Sequence, residues 1–247
     1  MFVPIQDENP LRSIPIAYVT ILLIVANVAV FFLQTASVDP RAVVGFALVP
    51  DKFLQLVTIG GPAFAPPDGF GASTPYTLLS YMFLHGNVFH LAGNMLFLWV
   101  FGDNVEDALG HLKFLLFYLA CGMFAGLMHI AMLPTSSVPL IGASGAVAGV
   151  IAAYLVLHPQ VRVWVLAFRF IPLRITAALA LGAWILTQVA MVALPYLDAV
   201  PQAAGPIAWW AHIGGLIAGA VLVVFLRRPG VPLFGRTVGV GGQKIST

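Results

Sequence analysis

The chain is poor in charged residues and in cysteine. Only 8% of its 247 residues are Asp, Glu, Lys or Arg, whereas about 25% is usual for a soluble domain, so these residues cannot cover a water-exposed surface. The net charge of +2 comes without any basic run, which excludes a nucleic-acid-binding protein held by charge. The single cysteine, Cys121, excludes both a disulfide framework and a thiolate metal cluster.

Apolar sequence is what the chain has in excess. Hydrophobic residues make up 60% of it and the mean hydropathy is +0.99, a composition that also excludes a disordered chain. A transmembrane helix requires about 20 mostly apolar residues, and six segments meet or approach this length. They are residues 16–34, 77–101, 113–133, 142–157, 175–194 and 207–226. The sequence therefore predicts an all-α polytopic membrane protein: a short N-terminal segment (1–14), a six-helix membrane domain (15–228) and a flexible Gly-rich tail (229–247).

The distribution of basic residues predicts the orientation of this bundle. If the N-terminus lies inside, nine of the eleven Lys and Arg residues fall on inner segments, and cytoplasmic loops are enriched in these residues. Both termini are therefore expected in the cytoplasm. In the first outer loop, residues 53–70 mix apolar side chains with glycine and proline, so we expect this part of the loop to be embedded in the outer interface of the membrane.

Four polar side chains lie within the predicted spans, where such groups are costly and by default indicate function. They are His90, Asn94, Ser144 and His212. Counted from the inner ends of their spans at about 1.5 Å per residue, His90, Ser144 and His212 all lie about 20 Å above the inner face. Asn94 follows His90 by one helical turn and shares its face. We therefore expect these side chains to lie together in the outer part of the bundle.

Glycines accompany two of these side chains. Small residues four positions apart follow both Ser144 and His212, a spacing that lets two membrane helices approach closely. They are Gly145, Gly149, Gly215 and Gly219. Close packing of the fourth and sixth spans would bring Ser144 within hydrogen-bond distance of His212, the arrangement of a nucleophile and its general base. No Asp or Glu occupies these two spans, so the sequence predicts a dyad and not a triad.

Each of these residues also has a purely structural interpretation. A lone serine in a membrane helix usually bonds its own backbone, the glycine pattern alone is a packing motif, and a lone histidine or asparagine can bridge helices. The matched depths and the matched glycines favour the functional interpretation of the set. The remaining histidines lie nearer span ends or lack such partners and are interpreted as structural: His85, His111, His129 and His158.

Three motifs, in this order, resemble those of the rhomboid intramembrane serine proteases of the six-helix bacterial type. His90 and Asn94 match the family's HxxxN, residues 142–145 match its GxSG, and residues 211–219 match its AHxxGxxxG. The similarity covers roughly residues 12–228.

The resemblance implies a rhomboid-like bundle with assigned roles for the site residues. It implies that Ser144 is the nucleophile and His212 the general base. Asn94, His90 and the backbone N–H of Ser144 would stabilise the oxyanion, and Gly142 would shape the turn beside it.

The function implied is an intramembrane serine endopeptidase that cleaves transmembrane segments, within a multi-pass protein of a bacterial plasma membrane. Its partners would be transmembrane substrates and the lipid bilayer, with no nucleic acid, and no metal or other cofactor is indicated. Two alternatives stay open: a catalytically inactive rhomboid-like protein that binds membrane helices, and a small transporter or proton channel that uses intramembrane histidines. A channel needs a polar path, whereas the inner halves of the second, fourth and sixth spans carry Leu, Val, Ile and Ala.

One position departs from the family at the site itself. The family often carries an aromatic residue one turn after the serine, on which the histidine ring rests, and this chain has Ala148 there. We expect Trp209 or Trp210 to support the ring of His212 instead. By analogy with the family, substrate would enter past the fifth span and the loop around residues 199–206.

Overall fold

Most of the described chain is helical. The computed structural model of the protein describes residues 2–36, 45–59, 75–167, 170–194 and 208–235, and within these ranges the chain forms eight α-helices. The helices are α1 (Tyr18–Ala36), α2 (Pro50–Ile59), α3 (Thr77–Ser80), α4 (Val88–Leu109), α5 (His111–Met132), α6 (Ser144–Leu157), α7 (Ala177–Ala193) and α8 (Trp209–Leu226). By length and composition, α1, α5 and α8 are each able to cross a membrane.

Five of the predicted spans coincide with helices. Each of α1, α5, α6, α7 and α8 begins and ends within two residues of its predicted segment, because the ends of an apolar run are also the ends of the helix that it forms. Two of them, α6 and α7, are apolar but shorter than the other three. The count of six membrane spans therefore stays a prediction.

The second predicted span, residues 77–101, is wrong in its boundaries. The chain there forms α3, a 3₁₀ turn at Tyr81–Phe83 and an extended Leu84 before α4 begins. The break depends on Asn87, which has an extended backbone and whose side chain accepts a hydrogen bond from the backbone N–H of His90 (2.9 Å). The sequence carries a signal for this break, since His85, Gly86 and Asn87 interrupt the apolar residues and asparagine is a favoured N-cap residue. With this break, α4 ends eight residues later than predicted and His90 lies in its first turn.

A small antiparallel sheet packs at one end of the helices, so the fold is mostly helical, and the all-α prediction is correct for the helices but missed this sheet. Its strands run in the order β1 (Phe2–Asp7), β2 (Arg162–Ala167) and β3 (Ile171–Thr176). Along β2, Val163 and Val165 are buried whereas Trp164 between them is exposed, the alternation of a half-buried strand. The N-terminal segment therefore pairs with the connection between α6 and α7, a long-range contact that the local pattern does not reveal.

Asp7, the last residue of β1, joins this sheet to the helices. Its Oδ2 accepts hydrogen bonds from the hydroxyl of Tyr154 on α6 (2.6 Å) and from Nδ2 of Asn104 on α4 (3.2 Å). Burial raises the pKa of Asp7 to about 7; the hydrogen bond from Tyr154 acts in the opposite direction, and the charge of Asp103 adds to the rise. Below about pH 7, the folded protein therefore favours the protonated carboxyl group of Asp7.

The raised pKa of Asp7 predicts a loss of stability as pH increases from about 4 to about 7. Unfolded Asp ionises near pH 3.8, so within this window the folded state holds a proton that the unfolded state has lost. The contribution of Asp7 is complete below the window and absent above it. Thermal unfolding in one detergent across this window measures the effect: the wild-type melting temperature should fall relative to that of Asp7→Asn. A constant difference between the two would contradict the assignment.

Two acidic residues near the end of α4 hold the start of α1. Glu106 is fully buried and accepts hydrogen bonds from the backbone N–H groups of Val19 (2.9 Å) and Thr20 (2.7 Å) and from the Thr20 hydroxyl (2.7 Å). Its other close neighbour is Nδ1 of His111, at 2.5 Å. The first N–H groups of a helix have no intrahelical acceptor, and a carboxylate supplies one. Asp107 accepts three further backbone N–H groups from the chain just before α1.

The first loop after α1 is described only in part. Phe53 of α2 is buried in the core, and Leu48 pairs with Leu140 through two backbone hydrogen bonds. Residues 60–70 of the stretch predicted to lie in the interface (53–70) are outside the described residues, as is the loop around residues 199–206.

The beginning of the predicted tail is bonded to the helices. The backbone N–H groups of Phe234 and Gly235 donate to the carbonyls of Val156 and Leu157 at the end of α6. The packed part of the chain therefore reaches at least to residue 235, beyond the boundary expected at residue 228. The rest of the tail, from residue 236 on, lies outside the described residues.

Candidate active site

Helices α6 and α8 come into backbone contact at two pairs of glycines. A Cβ atom built on Gly215 would lie 1.9 Å from the carbonyl oxygen of Gly145, and one built on Gly219 would lie 2.1 Å from that of Gly149. Real Cβ atoms essentially never approach a heavy atom this closely, so only hydrogen fits at these positions. The four glycines singled out from the sequence thus lie on the line along which the two helices touch.

Ser144 and His212 meet at the N-terminal ends of these two helices. Ser144 is the first residue of α6, and His212 lies in the first turn of α8. Nε2 of His212 is 2.8 Å from Oγ of Ser144, the length of a good hydrogen bond. The histidine is buried and the serine is half-buried. This is the geometry in which an imidazole can take the proton of a hydroxyl nucleophile.

The turn before Ser144 lies against the ring of His90. Gly142 has a φ of +119°, a conformation that side chains disfavour, and a Cβ atom there would lie 2.7 Å from Cε1 of His90. Its N–H donates to the carbonyl of Tyr81 (2.9 Å), which fixes the turn. The first N–H groups of α6 have no intrahelical acceptor, so this end of the helix is able to donate hydrogen bonds to an anion.

Asn94 lies one helical turn after His90 on α4. Its side chain is buried, and its Nδ2 has no hydrogen-bond acceptor among the described residues. Leaving a buried amide donor without a partner costs about 1–3 kcal/mol. Such an unpaired buried donor requires an explanation. One explanation is an acceptor that forms only during a reaction at the neighbouring site residues.

His85, interpreted as structural from the sequence, is a direct neighbour of the site. Its buried ring lies edge-on to that of His90, with 5.2 Å between the ring centres, and its Nε2 is 3.5 Å from the backbone N of Ala143. Gln34 of α1 bonds both the N–H and the carbonyl of His85. The wrong boundary of the second span hid this role, because it placed His85 within a helix and not in the loop that leads to α4.

Three side chains surround the imidazole of His212. Trp209, one of the two tryptophans expected there, lies edge-on with its ring centre at 5.9 Å. Trp184 of α7 lies at 6.0 Å and is inclined by 34°, and Oε1 of Gln188, one turn further along α7, is 2.8 Å from Nδ1 of His212. Among the described residues, Trp210 makes no ring contact with His212. Sequence reasoning missed Trp184 and Gln188, although a glutamine in an apolar span is itself a costly residue that indicates a role.

The assembled groups are suited to nucleophilic attack on a carbonyl. Ser144 offers an oxygen nucleophile, Nε2 of His212 a proton acceptor, and Asn94 an unpaired donor for negative charge. In the part of the chain that the structure describes, no group of three His, Cys, Asp or Glu side chains is placed to hold a metal ion.

The fold and this pair of side chains define a helical protein with a candidate serine–histidine active site among its apolar helices. Residues 72–229, more than half of the chain, match the family model described as the Rhomboid domain. The chain belongs to the rhomboid family, and with its long apolar helices it is a membrane protein.

Named relatives share the same region. The chain is 31% identical over 157 residues to the presenilin-associated rhomboid-like protein, mitochondrial, of Homo sapiens, a match that covers 60% of this chain and 37% of the relative. It is 30% identical over 165 residues to Rhomboid-like protein 11, chloroplastic, of Arabidopsis thaliana, covering 62% and 53%. It is 27% identical over 243 residues to RHOMBOID-like protein 6, mitochondrial, of the same plant, covering 86% and 70%.

Two limits follow from these matches. The chain spans only 37% of the human relative and 53% of the chloroplastic one, so the activity of those whole proteins does not transfer directly. The names of these relatives refer to mitochondria and chloroplasts, and the predicted bacterial plasma membrane gains no support from them.

Proposed function

We propose that this protein is an intramembrane serine endopeptidase that hydrolyses peptide bonds in transmembrane segments of other membrane proteins. The observation that carries the proposal is the 2.8 Å contact between Nε2 of His212 and Oγ of Ser144 where α6 and α8 meet. Membership of the rhomboid family supports it. The free-energy cost of placing polar side chains among apolar helices also supports the proposal. Packing alone would not require a paired serine and histidine together with an unpaired amide donor.

In the proposed reaction, Ser144 attacks the carbonyl carbon of the scissile bond while Nε2 of His212 takes the hydroxyl proton. The same imidazole then protonates the leaving amine and afterwards activates the water that hydrolyses the acyl-enzyme. Asn94, His90 and the backbone N–H of Ser144 donate to the oxyanion. Gly142 keeps the ring of His90 against the turn, because any side chain at this position would displace the ring.

The proposed setting is a bundle of six spans formed by α1 and α4 to α8 within residues 15–228. Both termini would lie on the same side of the membrane, the side richer in Lys and Arg. The partners are the lipid bilayer and transmembrane substrates. A helical substrate has its carbonyls in i→i−4 hydrogen bonds and must unwind at the scissile bond, so helix-breaking residues there should increase the rate of cleavage. The contact glycines keep α6 and α8 close enough for the dyad: Gly145, Gly149, Gly215 and Gly219.

Ser144→Ala is expected to remove the activity. Purified wild type and variant, each reconstituted in liposomes with a labelled single-span substrate at neutral pH, are compared by the rate at which cleaved product forms. The rate should fall by at least about 10⁴-fold, because the variant lacks the nucleophile. Ser137→Ala serves as the matched control, since Ser137 is an exposed loop serine, and it should cleave like wild type.

Two outcomes would contradict the proposal. Equal cleavage by wild type and Ser144→Ala would mean that another protease produces the signal. Binding of the substrate without cleavage by wild type would favour the alternative, an inactive rhomboid-like protein that binds membrane helices.

A further inference from the structure

Gln188 is held in one orientation by its own helix. Its Nε2 donates to the carbonyl of Trp184 (3.0 Å) and to Oγ1 of Thr187 (2.9 Å). With both amide hydrogens engaged, Oε1 is the atom directed at Nδ1 of His212, 2.8 Å away. The reversed amide would put an oxygen against the Trp184 carbonyl, two acceptors face to face, so the network selects the observed orientation.

The orientation of the Gln188 amide also determines the tautomer of the His212 imidazole. An amide oxygen only accepts hydrogen bonds, so Nδ1 of His212 must carry the proton. In the neutral ring Nε2 is then unprotonated and accepts the hydrogen bond of Ser144, the tautomer that a general base requires. If the proton were on Nε2, Nδ1 would have no hydrogen to donate to Gln188, and Nε2 would have no lone pair to accept the serine proton.

Gln188 differs in burial from the residues around it on α7. The buried residues of α7 are Ala177, Ala180, Leu181 and Gln188. Thus, among the described residues of α7 after Leu181, only Gln188 is buried. Its neighbour Leu186 is 68% exposed. Trp184 and Ile185 also pack against the core from this half of α7, and within that apolar contact Gln188 is a buried polar residue whose Oε1 faces His212.

We propose that Gln188 is the positioning residue of the dyad, a neutral side chain that holds His212 in the orientation and tautomer needed to accept the proton of Ser144. The inference rests on the proposed protease function and completes it: the sequence predicted a dyad without an acidic third residue, and an amide on a third helix takes that place. A neutral acceptor has an advantage here, because a carboxylate at membrane depth is costly.

Kinetics separate positioning from mere packing. Gln188→Met keeps the length of the side chain and removes the acceptor. We expect kcat to fall about tenfold, the value of one hydrogen bond, with KM unchanged. The acidic limb of the kcat–pH profile should move to lower pH, because the imidazolium also loses an acceptor. Gln188→Glu keeps an acceptor for Nδ1 and adds negative charge, so the limb should move to higher pH, while its second oxygen meets the Trp184 carbonyl in place of the amide nitrogen. Leu186→Met is the control and should match wild type.

Other titratable groups act on His212 as well: His90 from α4 and His129 from α5 interact with it electrostatically. Both histidines are unchanged in all three variants. If the acidic limb of the kcat–pH profile moves in opposite directions in Gln188→Met and Gln188→Glu, the cause is therefore the side chain at position 188. Loss of activity or stability in both variants without any movement of the limb would overturn the proposal and leave Gln188 as packing.

A second readout does not require activity. Nitrogen NMR of the ¹⁵N-histidine-labelled protein reports which ring nitrogen carries the proton, and the signals of His212 are identified by their absence in His212→Phe. We expect the proton on Nδ1 in wild type and a mixture of tautomers in Gln188→Met. A proton on Nε2 in wild type overturns the proposal. If wild type fails to cleave while the proton lies on Nδ1, the proposed function fails and the positioning role survives.

Discussion

Gly215→Ala is expected to lower the rate of substrate cleavage by about 10²-fold or more. The new Cβ atom would lie 1.9 Å from the carbonyl oxygen of Gly145 and 2.8 Å from its carbonyl carbon, so α8 must move away from α6 by about 1 Å or more. Because Ser144 and His212 are carried by these two helices, their 2.8 Å contact would be lost with the glycine contact. A displacement of about 1 Å at a catalytic pair costs about 10²-fold in rate, and overpacking costs about 1–3 kcal/mol of stability.

Gly93→Ala is the matched control for this prediction. It makes the same change in a helix next to a site residue, but a Cβ atom there meets nothing within 4 Å in the described structure. Since alanine favours a helix more than glycine does, Gly93→Ala should keep its activity and melt at the same temperature as wild type or slightly higher. Rate of substrate cleavage and melting temperature are measured for both variants. Equal effects in the two would contradict the close contact of α6 and α8.

Asn94→Ala is expected to lower kcat by about 10²–10³-fold, the usual effect of removing one oxyanion donor. The donor acts on a charge that exists only in the transition state, so KM should change little. Stability should not fall, because Nδ2 has no partner to lose among the described residues. Steady-state kinetics in liposomes together with thermal unfolding measure the two effects separately.

Asn27→Ala is the control for the asparagine prediction. Asn27 is also buried in an apolar helix, but its Nδ2 bonds the Leu23 carbonyl within α1 (2.8 Å). Its replacement should cost stability and leave kcat near the wild-type value. If Asn94→Ala also lowers stability and leaves kcat unchanged, Asn94 connects helices and does not stabilise the oxyanion.

The apolar pattern predicted most helices closely, because in such a chain the limits of an apolar run are the limits of a helix. It failed at the second span, where Asn87 caps the start of a new helix, α4, between two apolar segments. It also failed for the sheet, since β1 and β2 are separated by more than 150 residues in the sequence. The residues of β2 after Arg162 are all apolar, so neither its alternating burial nor its partner strand could be predicted from the local sequence.

The candidate site was predictable in its centre and not at its edges. Ser144, His212 and the contact glycines share motifs and spacing, so one chain of inference found them all. The support of His212 was not predictable, because Trp184 and Gln188 belong to a different helix whose rotation about its axis is set by packing. His85 escaped for a related reason, since its contact with His90 depends on a loop where a helix was expected.

The central claim is that Ser144 is a nucleophile activated by His212, and covalent labelling tests it most directly. A fluorophosphonate reacts with an activated serine hydroxyl, losing fluoride as the new oxygen–phosphorus bond forms, and mass spectrometry of the digested protein locates the adduct. We predict one adduct on the peptide that contains Ser144, and its absence from His212→Ala at the same protein and reagent concentrations. An unlabelled Ser144 in the folded wild-type protein, or equal labelling in His212→Ala, would contradict the account.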